Sequence, residues 1–61
     1  MVAVAFNDKG RTVAAPTVES IDEALGLAYA WNSDELRPDM IVTSVLVKDQ
    51  TFPIAVQLGL F

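Results

Sequence analysis

One segment carries a helix signature, and its boundaries dictate what the rest of the chain can become. Ser20-Ile21-Asp22-Glu23 is an S-x-x-E capping box. The Ser20 hydroxyl is expected to accept from the Glu23 amide and the Glu23 carboxylate to reach back to the Ser20 amide, closing two donors that a helix start leaves open. Glu19, Asp22 and Glu23 stand where the positive helix end favours them. Apolar residues then recur at helical spacing, at Ile21, Ala24, Leu25, Leu27, Ala28 and Trp31, opposite Asp22, Glu23, Gly26 and Ala30. Asn32-Ser33 opens the exit. Pro38 lacks an N–H and disfavours a helical residue before it, so the helix cannot run much past Leu36.

The flanks read as strand pairs. Val2–Phe6 alternates Val2, Val4 and Phe6 with Ala3 and Ala5, a bulky face against a small one. Asn7-Asp8-Lys9-Gly10 is a hairpin loop, with Gly10 free to take a positive φ. Arg11–Ala15 returns, and Pro16 ends it because proline cannot donate to a ladder. Met40–Lys48 is the strongest strand, rich in β-branched residues. Lys48-Asp49-Gln50-Thr51 reads as a four-residue loop. Phe52–Leu58 follows, with Phe52, Ile54, Val56 and Leu58 on one face and Pro53 marking an edge strand. The order is β-β-α-β-β, a single α+β domain over residues 1–61 with one helix packed on an antiparallel four-stranded sheet.

Such a core is small. A chain of 61 residues hides only about 60% of its unfolded surface, and domains of this size often add disulfides, a metal or oligomerisation. With no Cys and no His, disulfides and a structural zinc site are removed. Oligomerisation, or docking on a larger partner, remains. Disorder does not fit, since Leu, Ile, Val and Phe make up 20 of 61 residues. The apolar runs, Met1–Phe6 and the neighbourhood of Val45–Val47, fall short of the roughly 18–20 residues of a membrane span. The start has no basic region before Asp8, unlike a signal peptide, so a cytoplasmic location is the expectation.

Catalysis is not favoured by these residues. General acid–base and nucleophilic work usually recruit His, or Ser or Cys beside a base. Asp22 and Glu23 are adjacent on a helix, so their side chains diverge by about 100° and form no facing pair. Asn7–Arg11 lacks the glycines and following helix of a phosphate loop. Four scattered bases in a chain of net charge −4 make no nucleic-acid patch. No enzyme, cofactor or metal is expected.

Two surfaces carry more information. Residues 19–39 hold six acids (Glu19, Asp22, Glu23, Asp34, Glu35 and Asp39) and one base, Arg37, which points to a negative face that steers toward a basic partner. Gly26, with Ala30 four residues on, offers room for another backbone. In the strongest strand, Met40, Val42, Ser44 and Leu46 alternate with Ile41, Thr43, Val45 and Val47, and both sets are mostly apolar. One helix covers one set only; the other joins Ala3 and Ala5 on an open face that reads as an interface, with Val45 and Val47 placed there. The tail, Gln57-Leu58-Gly59-Leu60-Phe61, brings Leu60 and Phe61 either onto the core or into a partner. Trp31, on the apolar stripe, is expected in the core. The function expected is a non-enzymatic protein–protein interaction module, an inhibitor or accessory factor of the small, acidic kind that phages encode, occupying a surface of a larger protein. The alternative is a structural subunit of a homo-oligomer, most simply a homodimer, or of a capsid-like assembly.

Overall fold

A computed structural model describes residues 1–55 of the chain; Leu60 and Phe61, singled out above, lie outside them. The elements are β1 (Val4–Phe6), β2 (Thr12–Ala14), α1 (Ile21–Asp34), a 3-10 turn (Pro38–Met40), β3 (Ser44–Val47) and β4 (Gln50–Pro53). The four strands form one antiparallel sheet in the order β2-β1-β3-β4, with α1 on one face. The fold is the α+β arrangement read from the sequence.

Local chemistry accounts for the ends of α1. Ser20, in extended conformation, is the N-cap, and its Oγ accepts from the Glu23 amide at 3.1 Å. The Glu23 carboxylate accepts from the Glu19 amide at 3.0 Å rather than from Ser20, so the box closes one residue further back than expected. Asn32 and Ser33 complete the last turn instead of leaving it. The Ser33 hydroxyl donates back to the Ala30 carbonyl at 2.8 Å, and the Asn32 side chain finds partners outside the helix.

The two hairpins use different turns. Between β1 and β2, Gly10 sits at φ 75° and donates to the Asn7 carbonyl at 3.0 Å. The buried Asn7 side chain organises this loop: its Oδ1 accepts from the Lys9 and Arg11 amides, and its Nδ2 donates to the Asp39 carbonyl, each at 2.9 Å. Between β3 and β4 the loop has two residues, not four. Val47 pairs with Gln50, and Lys48 and Asp49 take φ of 52° and 61°. A two-residue turn with positive φ at both positions matches the right-handed twist of the strands, although Asn-Gly would adopt it more readily.

The strand expected over Met40–Lys48 is shorter. Pro38 opens a 3-10 turn that takes up Met40, and the ladder begins at Ser44. Thr43 donates to the Phe6 carbonyl at 2.8 Å and accepts from the Ile54 amide at 2.9 Å, yet lies outside the regular strand. The alternation slips there: Val42 and Val45, three apart, are both buried.

That slip and the strand register correct the face assignment. Ala5 lies opposite Ala14 on one side and Val45 on the other, and Val45 lies opposite Phe52. This row faces α1. Ala3 and Ala5, expected on the open face, are therefore core residues, and so are Val45 and Val47, each only 1% exposed. The core comprises these four with Val18, Ala24, Ala28, Val42 and Ile54, and its most completely buried side chains are valines. The open face carries Val4, Phe6, Ser44 and Leu46 instead, all half-buried. The bulk of β1 points away from the helix because pairing with β3, not side-chain size, orients the strand.

Candidate functional site

Helical spacing sorts α1 into three strips. Ala24 and Ala28 are buried, flanked by the partly buried Ile21 and Leu25. Asn32, in line with them, locks the helix to the chain entering β3. Its Nδ2 donates to the Val42 carbonyl and its Oδ1 accepts from the Val42 amide, both at 2.8 Å, so the side-chain amide replaces a strand partner for a buried residue. The sequence reading missed this role, because Asn near a helix end reads equally well as an exit signal.

The exposed strip carries the charge. Glu19, Asp22, Glu23, Gly26, Ala30 and Asp34 are all exposed. At 3.6 residues per turn, Asp22 and Gly26 line one edge of this strip and Glu23 and Asp34 the other, with Ala30 between them. Among the described residues, a Cβ added at Gly26 would meet nothing within 4 Å, so its small size answers no neighbour there. Glu35 is turned aside from this group. Its Oε1 accepts from both the backbone amide and the Nε of Arg37 at 3.1 Å, and these bonds hold its carboxyl below the ordinary carboxylate range. The same contact raises the Arg37 guanidinium. Arg37–Glu35 is the ion pair among the described residues, so it uses up the one base of residues 19–39. Leu36, between them, is 93% exposed.

The third strip holds residues expected in the core. Leu27 is 44% exposed and Trp31 40%. They stand over a groove of about 280 Å³ between α1 and the β1–β2 hairpin. Its floor is Ala3, Ala5 and Ala14 with Pro16, bordered by Val42 and Val45, and its helix wall is Leu27, Ala30 and Trp31. The Trp31 indole N–H donates to the Met40 carbonyl at 2.8 Å, which fixes the ring beside the groove. The groove opens where alanines of the β1–β2 hairpin face the helix, and Val42 and Val45 border it on the β3 side.

Among the described residues, no group of three or more His, Cys, Asp or Glu side chains is placed to hold a metal ion, and no helix is long and apolar enough to cross a membrane. Of the interface residues named from the sequence, the structure brings Asp22, Glu23, Gly26, Ala30 and Asp34 to one helix side, with the exposed Glu19 just before its N-cap. It separates Val45 and Val47 from them by burial. Comparison with known proteins returned no matching family model, no matching curated protein and no matching solved structure.

Proposed function

We propose that this chain is a non-enzymatic interaction module, a small inhibitor or accessory factor that occupies a basic surface of a larger protein through the exposed side of α1. The observation that supports this reading is the charge on that side. Asp22, Glu23 and Asp34 are exposed, and the one base of residues 19–39, Arg37, is already bonded to Glu35. A field of one sign steers a partner of the other and raises the association rate.

The test is recovery of partners from the native host at low and high salt, comparing the wild type with Asp22→Lys/Asp34→Lys. Glu23 is left intact because it holds the Glu19 amide. A partner retained by the wild type at low salt, and lost both in the double variant and at high salt, supports the reading. Equal retention by the variant at low salt removes it.

A second reading has its own observation. Val4, Phe6 and Leu46 form an apolar row on the sheet face turned away from α1, and a second copy of the chain would cover it as a homodimer or larger assembly. Sedimentation equilibrium separates the two readings. A mass that rises with concentration, and returns to the monomer in Leu46→Thr, supports self-assembly; a monomer throughout sinks it.

A further inference from the structure

Resting on the reading of α1 as a partner-binding side, we propose that the groove between α1 and the β1–β2 hairpin receives one aliphatic side chain from a lysine- or arginine-rich segment of the partner. Three features of the groove specify this occupant. Its volume, about 280 Å³, lies at the foot of the roughly 300–1,000 Å³ typical of small-molecule sites, which suits a side chain rather than a cofactor. Its lining offers no free polar group to orient a polar ligand: the sheet side is alanine, valine and proline, and the Trp31 N–H is already given to Met40. The helix wall then joins the groove to charge. Glu23, Leu27, Ala30 and Asp34 fall at i, i+4, i+7 and i+11, one flank of a helix, so an exposed carboxylate stands at each end of the apolar wall. A segment whose apolar residue enters the groove therefore meets acids on both sides, and the half-exposed face of Trp31 is open to a cation as well. A second copy of this chain fits less well, because a two-fold contact sets Glu23 and Asp34 against the same acids of the partner copy.

The experiment uses the full chain, labelled with ¹⁵N, and three synthetic dodecapeptides: lysine and alanine with one central leucine, the same peptide with serine for leucine, and the leucine peptide with glutamate for every lysine. Binding is followed by Trp31 fluorescence and by amide and indole shifts. The leucine peptide is expected to shift Ala14, Leu27, Ala30 and the Trp31 indole, and to bind about tenfold or more tightly than the serine analogue, as burial of one aliphatic side chain implies. Ala30→Leu, at an exposed helix position that borders the groove, is expected to bring the leucine peptide down to the affinity of the serine one. Equal affinities for leucine and serine peptides in the wild type, or shifts centred on Val4 and Leu46, overturn the groove while leaving the acidic side intact. Binding of the glutamate peptide as tight as that of the lysine one overturns the basic-partner reading itself. Absence of binding by the leucine peptide at millimolar concentration, or a dimer that Ala30→Leu dissociates, also overturns the proposal, the latter by naming a second copy as the occupant.

Discussion

The two hairpins meet the helix with different side chains, and the molecule divides along that line. The β3–β4 half presents Val45, Val47 and Phe52 to α1, and Val45 and Val47 are almost wholly buried. The β1–β2 half presents Ala3, Ala5 and Ala14, and among the described residues the space that larger side chains would have filled is the groove. The helix follows the bulk: it lies chiefly over β3 and is tied there by the Asn32 amide. Leu27 and Trp31, which have the hydrophobicity of core residues, are left half-exposed on the alanine side. A small domain thus devotes one half of a sheet face to stability and keeps the other as surface. The difference resides in which side chains stand opposite the helix, and the register of β1 against β3, which turns Ala3 and Ala5 inward, sets that choice.

The largest expected effect is at the tie on the filled side. Asn32→Leu leaves the Val42 amide and carbonyl without partners inside the core, at about 1–3 kcal/mol for each unsatisfied group. Urea unfolding should show a loss of about 3 kcal/mol; a loss below about 1 kcal/mol would show that packing alone holds α1 over β3.

Next comes the direct comparison of the halves. Val45→Ala should cost about 2 kcal/mol, since it removes methyl groups from a side chain only 1% exposed. Ala14→Leu, growing into the groove, should be neutral or stabilising, in contrast to the roughly 1–3 kcal/mol lost when a filled core is overpacked. A similar destabilisation from both changes would mean that the two halves are equally tight.

The turns sharpen the same contrast on a smaller scale. The alanine half turns through Gly10, whose positive φ is unstrained; the valine half turns through Lys48 and Asp49, where positive φ is disfavoured. Lys48→Asn with Asp49→Gly should raise stability by about 1 kcal/mol, whereas Gly10→Ala should lower it. Thermal unfolding of both variants checks the pair of signs.

The smallest effect lies outside both halves. Arg37 holds the Glu35 carboxyl below its ordinary range, so the folded state binds this proton less readily than the unfolded chain. The resulting stabilisation is present above the unfolded value, about 4.3 for a glutamate, and is lost as the pH falls through the lower folded value. Glu35→Gln should therefore unfold with a slightly flatter acid limb, and high salt should reduce the difference because the pair is at the surface. An NMR titration that finds Glu35 at or above the ordinary glutamate value removes the effect.

The amino-acid sequence determined what depends on neighbours a few residues apart. The start of α1 follows from Ser20 and Glu23, the first hairpin from the Asn7–Gly10 loop, the limit of the helix from Pro38, and the edge position of β4 from Pro53. These signals act through single backbone hydrogen bonds and φ/ψ preferences, so they are legible without the fold. The acidic side of α1 was legible for the same reason, since helical spacing alone groups Asp22, Glu23 and Asp34. Only the tertiary structure decided which sheet face meets the helix. Alternation separates Ala3 and Ala5 from Val4 and Phe6 but leaves open which set turns inward, and that choice is made by the register of Ala5 against Val45, forty residues apart in the chain. The slip between Val42 and Val45 likewise arises from long-range bonds, Thr43 to Phe6 and Ile54, that no local pattern announces. The pairing of Asn32 with Val42 and the groove beside Trp31 exist only once the helix has been set across the sheet, because each is a relation between surfaces and not a property of either segment.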